Sequence, residues 1–174
     1  GTLSRVFSIQ SPRAVHYGGG AFERIGGLAA ELGKKALVVT DDIMNGLGYV
    51  TQCTELLKER GIGTTVYTGV RTEPTDGYVE EALARFREER CDLIISLGGG
   101  SCIDTAKAVA VLVTNPGYIG EFMGAKRVAA NRPVPHLAVP TTAGTGSEVT
   151  DVTVITATKT DVKMMIKQPA FLPD

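Results

Sequence analysis

A glycine triplet between an apolar run and a helix-like segment is the strongest candidate for chemistry in this sequence; it consists of Gly98, Gly99 and Gly100. A strand that leads through a glycine turn into a helix presents backbone N–H groups and the positive end of a helix dipole, which together hold a phosphate or pyrophosphate. We predict Ser101 as the N-cap of this helix and Asp104 as its capping-box partner, and both are candidate cofactor-binding residues. A tight, capped turn without a ligand is the alternative, although three successive glycines exceed what capping requires.

The triplet departs from two common nucleotide-binding motifs. Ile103 stands where the G-x-G-x-x-G pattern requires its third glycine. A Walker motif places lysine directly after its last glycine, whereas Lys107 lies well beyond Gly100 and is followed by Ala108. ATP chemistry on a P-loop is therefore disfavoured.

Asp41 provides a second signal, since it directly follows the apolar run at residues 35–40. An acidic residue at the end of a strand can accept hydrogen bonds from an adenosine ribose and repel a 2′-phosphate. The same position suits the N-cap of a following helix, and the spacing leaves both interpretations open.

A hydroxyl-rich, glycine-containing loop at residues 140–150 provides the third signal. Clustered hydroxyl groups can donate and accept hydrogen bonds around a sugar, a phosphate or a carboxamide. A simple turn rich in serine and threonine is the alternative. The candidate binding residues in this loop are Thr141, Thr142, Ser147 and Thr150.

These signals follow apolar runs at residues 35–40, 91–97 and 136–139. Helical patterns lie at residues 21–32, 49–60 and 78–90, so that strand and helix alternate from about residue 35 to residue 140. Such alternation predicts an α/β fold with a doubly wound, mostly parallel, Rossmann-like sheet, in which ligands bind beyond the carboxyl ends of the strands. Residues 6–10 and 14–17 are predicted to form an N-terminal strand pair, and residues 152–156 and 163–166 further strands. We expect residues 1–174 to form one dinucleotide-binding domain.

Composition limits the classes of partner. The chain has 174 residues with 18 basic and 19 acidic side chains, so it lacks the positive field of a nucleic-acid binder. The longest apolar stretch, at 108–113, is too short to span a membrane, so no membrane partner is expected. Three widely spaced cysteines indicate reduced thiols and a cytoplasmic location. His16 and His136 lack metal-ligand spacing and are expected to be half-buried.

Taken together, the segments at 98–107 and 141–150 make this chain similar to the iron-dependent alcohol dehydrogenases, which have a dehydroquinate synthase-like fold. The resemblance covers essentially the whole chain. It implies that the glycine triplet and Ser101 bind the pyrophosphate of NAD and that Asp41 contacts the adenosine ribose. It also implies that the loop residues line the nicotinamide half, that Lys163 reaches the nicotinamide ribose, and that Val152 begins the substrate wall.

Two departures from the family pattern stand out. Thr72-Glu73-Pro74 occupies the place where many members have Pro-Asn-Pro, so Glu73 brings a negative charge near the cofactor site. The family also holds a divalent metal, iron or zinc, with an aspartate and three histidines of an all-helical C-terminal domain, and no matching constellation exists in these 174 residues. We therefore expect that domain to be absent, that no metal is bound, and that the chain alone is inactive.

The function implied by this resemblance is hydride transfer between a small alcohol or aldehyde and NAD, with the metal polarising the substrate oxygen. A non-catalytic nucleotide- or phosphate-binding module is an alternative of a different class. A polyol dehydrogenase or a hydroxyacid–oxoacid transhydrogenase of the same fold is a further alternative. A homodimer is expected if the N-terminal strand pair joins its edge to that of a second copy.

Overall fold

A parallel sheet of four strands lies at the centre of the chain. The computed structural model describes residues 22–71, 73–140 and 151–171. The predicted strand pair at residues 6–10 and 14–17 lies outside this part. The strands follow the order β2-β1-β3-β4 and are β1 (Lys35–Val39), β2 (Gly63–Tyr67), β3 (Leu93–Gly98) and β4 (His136–Pro140).

Three of the four strands coincide with apolar runs predicted from the sequence, whereas β2 does not. The strand β1 is buried from Ala36 to Val39, because it lies between two other strands. In β2, which lies at the edge of the four-stranded sheet, only Tyr67 is fully buried. An edge strand needs no continuous apolar run, and this explains why periodicity misses it.

Helices connect the strands and cover both faces of the sheet. Helices were predicted at residues 21–32, 49–60 and 78–90, and the structure places helices in all three regions with shifted ends. No helix among the described residues is long and apolar enough to cross a membrane. The helices are α1 (Ile25–Ala30), α2 (Asp42–Gly46), α3 (Tyr49–Lys58), α4 (Asp76–Glu88) and α5 (Gly100–Thr114), with 3₁₀ turns at Phe22–Arg24, Ile119–Ala125 and Pro169–Phe171.

Alternate residues of the central strands enter two separate hydrophobic layers. In β1, Ala36 and Val38 pack into the cluster that contains residues of α1 and α3. Leu37 and Val39 point the other way, into the cluster that contains residues of α4 and α5. A sheet covered by helices on both faces is the doubly wound arrangement, so the predicted fold class is confirmed.

An antiparallel hairpin follows the parallel sheet. It consists of β5 (Val152–Ala157) and β6 (Val162–Lys167), with Val154 paired to Met165. Its inward residues Ile155, Met164 and Ile166 join the same core as α5. The two strands predicted here are confirmed, and they form a two-stranded sheet of their own. The helix α5 is therefore covered by the main sheet and by the hairpin.

Candidate cofactor site

The carboxyl ends of β1, β3 and β4 lie together at one edge of the main sheet. Val39 of β1 pairs with Ser96 of β3, and Gly98 at the end of β3 pairs with Pro140 at the end of β4. Asp41 therefore lies beside the glycine turn, and the loop at residues 141–150 begins at the same edge. Thr141, Thr142, Ser147 and Thr150 themselves lie outside the described residues.

The glycine turn leads directly into α5, as predicted. Gly98 has a φ of 148°, a backbone conformation that favours glycine. The prediction that Ser101 is the N-cap is wrong, because the helix begins at Gly100 and Gly99 is its N-cap. Glycine is an acceptable N-cap, although it supplies no side-chain acceptor. The first backbone N–H groups of a helix have no partner within it, so the start of α5 suits an anion.

Asp104 does not serve the predicted capping box. The backbone N–H of Val154 in β5 donates to its carboxylate, and the Thr153 hydroxyl donates to its backbone carbonyl over 2.8 Å. Burial raises the pKa of Asp104 to about 6, although the charge of Lys107 opposes this effect. The sequence spacing could not indicate this role, because the partners lie about 50 residues away and reach Asp104 only in the folded chain. Asp104 therefore joins α5 to the hairpin.

Lys107 is almost fully buried on the same helix. Its ammonium group donates a 2.9 Å hydrogen bond to the backbone carbonyl of Val152. A buried ammonium group is tolerated when its hydrogens are satisfied. The predicted substrate-wall residue, Val152, is half-buried at the start of β5, so Lys107 fixes the backbone from which that side chain projects.

Asp41 caps a helix with one of its two carboxylate oxygens, which confirms the capping interpretation. It is the N-cap of α2, since its Oδ1 accepts a 2.8 Å hydrogen bond from the Met44 N–H. Its second oxygen, Oδ2, lies 3.7 Å from the Cys102 sulfur and 3.5 Å from the point where a Cβ would project at Gly98. Capping therefore uses one oxygen and leaves the other beside the glycine turn.

Lys163 and Glu73 meet at the surface. The Lys163 ammonium group lies 3.6 Å from a carboxylate oxygen of Glu73, and the two side chains are 71% and 46% exposed. An exposed pair of this kind contributes about 0–1 kcal/mol, so a ligand can compete for the lysine at little cost. The negative charge of Glu73 thus forms an ion pair with Lys163.

A buried polar pair that the sequence pattern did not indicate lies beneath this edge. Ser96 and His136 lie on neighbouring strands, with the serine oxygen 2.7 Å from His136 Nε2. Burial lowers the pKa of His136 to about 3, and the charge of Lys107 acts in the same direction. His136 is thus buried and neutral, which corrects the expectation of a half-buried residue. A serine inside an otherwise apolar strand was the available signal.

Comparison with known proteins agrees with this geometry. The sequence pattern of the family described as iron-containing alcohol dehydrogenase matches residues 12–174. The chain belongs to the iron-containing alcohol dehydrogenase family. It is 37% identical over 164 residues to the NAD-dependent methanol dehydrogenase of Bacillus methanolicus, covering 93% of this chain and 42% of the relative. It is 38% identical over 172 residues to the 1,3-propanediol dehydrogenase of Klebsiella pneumoniae, covering 97% and 44%.

Solved structures also match the fold. A crystal structure of 1,3-propanediol oxidoreductase has a TM-score of 0.86 and 38% identity, covering 93% of this chain and 42% of that one. The sulfoacetaldehyde reductase of Bifidobacterium kashiwanohense, solved in complex with NAD⁺, has a TM-score of 0.83 and 28% identity, covering 95% and 43%. This member of the iron-containing alcohol dehydrogenase family spans less than half the length of these relatives.

Proposed function

We propose that residues 1–174 are the dinucleotide-binding domain of an NAD-dependent alcohol dehydrogenase that acts on small alcohols and aldehydes. The observation that carries this proposal is the convergence of the glycine turn, the start of α5 and one oxygen of Asp41 at the carboxyl edge of the parallel sheet. Dinucleotides bind at this edge in doubly wound folds.

The described residues at this edge fit the chemistry of NAD. The start of α5 provides backbone N–H donors and a positive dipole end for the pyrophosphate. The second oxygen of Asp41 provides an acceptor for ribose hydroxyl groups and a negative charge that opposes the 2′-phosphate of NADP. When bound, NAD supplies the hydride acceptor or donor that amino-acid side chains lack.

The roles proposed for individual residues follow from this placement. Gly98, Gly99, Gly100 and Ser101 would surround the pyrophosphate, and Asp41 would select the adenosine ribose of NAD. Lys163 would bind the nicotinamide ribose after leaving Glu73, and Val152 would line the substrate pocket. Asp104, first predicted to contact the cofactor, is proposed instead to act indirectly by holding β5 against α5. The remaining proposed contacts with the nicotinamide half are Thr141, Thr142, Ser147 and Thr150.

The divalent metal does not fit the described part of this chain. No group of three His, Cys, Asp or Glu side chains within residues 22–71, 73–140 and 151–171 is placed to hold an ion. We propose that the iron or zinc is held by a helical domain beyond residue 174, consistent with relatives that are more than twice as long as this chain. The chain alone would then bind cofactor without oxidising an alcohol.

The substrate class rests on relatives that are described as methanol and 1,3-propanediol dehydrogenases. We further propose that the protein forms a homodimer in the cytoplasm, with neither nucleic acid nor membrane as a partner. The three cysteines, all free and buried, are compatible with a reducing compartment.

Alcohol-dependent NAD⁺ reduction by the natural polypeptide that contains this chain tests the proposal. With a divalent metal supplied, we expect NADH to form with small primary alcohols and to stop when a chelator is added. The Gly99→Val variant of the same polypeptide should form none. Cofactor binding without turnover of any alcohol would instead support the non-catalytic binding module, and turnover restricted to polyols or hydroxyacids would support the alternatives of the same fold.

A further inference from the structure

The two oxygens of the Asp41 carboxylate have different donors. Oδ1 accepts the backbone N–H of Met44 over 2.8 Å, which caps α2. Oδ2 accepts the thiol of Cys102, with a sulfur-to-oxygen distance of 3.7 Å. The two donors approach from different elements, since Met44 belongs to α2 and Cys102 to α5. Together they hold both ends of the carboxylate group and so restrict its rotation.

The Cys102 thiol reaches Asp41 because residue 98 has no side chain. A Cβ placed on Gly98 would lie 2.7 Å from the Cys102 sulfur and 3.5 Å from Asp41 Oδ2. A separation of 2.7 Å is far shorter than normal van der Waals contact, so any larger residue at position 98 would displace the thiol. The glycine turn, the thiol and the carboxylate are thus in mutual contact.

The thiol remains a hydrogen-bond donor at every physiological pH. Burial raises the pKa of Cys102 strongly, and the negative charge of Asp41 raises it further. Cys102 is only 1% exposed, so water does not compete for its hydrogen. A neutral thiol donates weakly, but a hydrogen bond to a charged acceptor is stronger than one to a neutral acceptor.

We propose that Cys102 is a positioning residue that holds Asp41 Oδ2 toward the glycine turn and thereby strengthens the preference for NADH over NADPH. The inference rests on the proposed function, because it requires that Asp41 discriminate between the two cofactors. Loss of the thiol would leave only the Met44 hydrogen bond of this pair, so the carboxylate could rotate more freely about its Cβ–Cγ bond. The negative charge would then be less well fixed against a 2′-phosphate, while the start of α5 would still bind the pyrophosphate.

Calorimetric titration of Cys102→Ala with NADH and with NADPH tests this proposal. We expect the ratio of the two dissociation constants to shift toward NADPH by about three- to tenfold, the size of effect expected for a weak hydrogen bond to a charged group. Cys102→Ser, which restores a donor at the same position, should recover most of the wild-type ratio. In an Asp41→Asn background, Cys102→Ala should change the ratio no further.

Cys53→Ala is the matched control. Cys53 is a fully buried thiol in α3, in the hydrophobic layer on the opposite face of the sheet from Cys102. Cys53→Ala removes one buried sulfur atom from the core, as Cys102→Ala does. It should therefore lower the melting temperature about as much as Cys102→Ala and leave the ratio of the two dissociation constants unchanged. An unchanged ratio in Cys102→Ala, or equal weakening of both cofactors, would overturn the proposal.

The failure of this inference can be distinguished from the failure of the proposed function. If the wild-type chain prefers NADH and Cys102→Ala keeps the same preference, the role of Cys102 is wrong and the cofactor assignment stands. If the wild-type chain binds neither cofactor, the proposed function is contradicted and the inference falls with it.

Discussion

Asp41 and Asp76 are two aspartates near the starts of helices, and they differ in how much of their hydrogen-bonding capacity the fold uses. Asp76 is 9% exposed at the beginning of α4. Its Oδ2 accepts the Tyr118 hydroxyl over 2.8 Å, and its Oδ1 accepts both the N–H and the hydroxyl of Thr158. Asp41, by contrast, is half-buried, and within residues 22–71, 73–140 and 151–171 its second oxygen accepts a hydrogen bond only from a thiol.

The difference separates a structural carboxylate from one that can serve a ligand. Burial by itself raises the pKa of Asp76, but hydrogen bonds from Tyr118 and Thr158 outweigh this effect and lower it. These bonds join the start of α4 to Tyr118, the N-cap of the 3₁₀ turn at Ile119–Ala125, and to the turn between β5 and β6. Asp76 has little capacity left for another donor, whereas Asp41 keeps an oxygen at the edge where a dinucleotide is proposed to bind.

The largest effect is expected from Gly99→Val. Gly99 has φ −85° and ψ −163°, an extended conformation that valine adopts readily, so the domain should fold normally. The added side chain would block close approach to the start of α5, and NADH affinity should fall by at least about 100-fold, or about 2.7 kcal/mol. Calorimetry and thermal unfolding measure the two quantities.

Gly98→Ala is the contrasting variant for the same turn. Its φ of 148° and its close contact with Cys102 make any side chain costly, so this variant should lose stability itself. If Gly99→Val binds NADH normally, the glycine turn is only a structural connection.

Asp76→Ala should destabilise the fold without changing cofactor preference. We expect a loss of about 2 kcal/mol in the free energy of unfolding, because hydrogen bonds to a charged group disappear and their donors lose a buried acceptor. Chemical denaturation measures this loss. Asp42→Ala is the control, since Asp42 is an exposed carboxylate whose ion pair with Arg71 is also exposed, and its loss should cost less than about 1 kcal/mol.

The pH dependence of Asp76 sharpens the same comparison. The folded-state pKa of Asp76 lies below its unfolded value, so the charged carboxylate contributes stability above an unfolded pKa of about 3.9. That contribution is lost as the pH falls through the folded-state pKa. The difference in the free energy of unfolding between the wild type and Asp76→Asn should therefore be largest at neutral pH. It should disappear as the pH falls below about 4. A gap that does not depend on pH would contradict the role of the charge.

Asp41→Asn should leave the fold intact and relax cofactor selection. Asparagine caps helices as well as aspartate does, so α2 should keep its N-cap. Removing the negative charge should shift the ratio of NADH to NADPH affinity toward NADPH by about tenfold or more. Parallel titrations with the two cofactors measure the ratio. If it does not change, Asp41 acts only as an N-cap.

Glu73→Gln should have the smallest effect. Freed from its partner, Lys163 should bind NADH about two- to threefold more tightly at low salt, and the gain should disappear at high salt because exposed charges are screened. Glu89→Gln is the control, because it removes a similar charge from the exposed Lys35–Glu89 pair at the opposite end of β1. An equal gain in both variants would indicate a general charge effect.

The sequence predicted the part of the site that is formed by residues adjacent along the chain. The buried strands β1 and β3 read as continuous apolar runs, and the glycine turn was found because it joins a strand to a helix in sequence. Asp41 was placed at the sheet edge for the same reason. The contact of its second oxygen with Cys102 depends on how α5 packs, which the local sequence does not indicate.

Contacts between distant segments explain what the sequence did not reveal. Asp104 has a capping-box spacing, but β5 packs on α5 and the Val154 N–H of β5 donates to the Asp104 carboxylate. The Ser96–His136 pair and the Asp76 cluster likewise depend on strand pairing and on the position of the hairpin. Spacing along one element carries no information about which segment will pack against it, so these roles required the folded structure.

Calorimetric titration of the wild-type chain with NADH, and with NADPH in a parallel run, tests the central claim most directly. We expect micromolar to millimolar binding that favours NADH, since Asp41 Oδ2 lies at the proposed dinucleotide edge. Equal affinity, tighter binding of NADPH or binding of neither cofactor would contradict it.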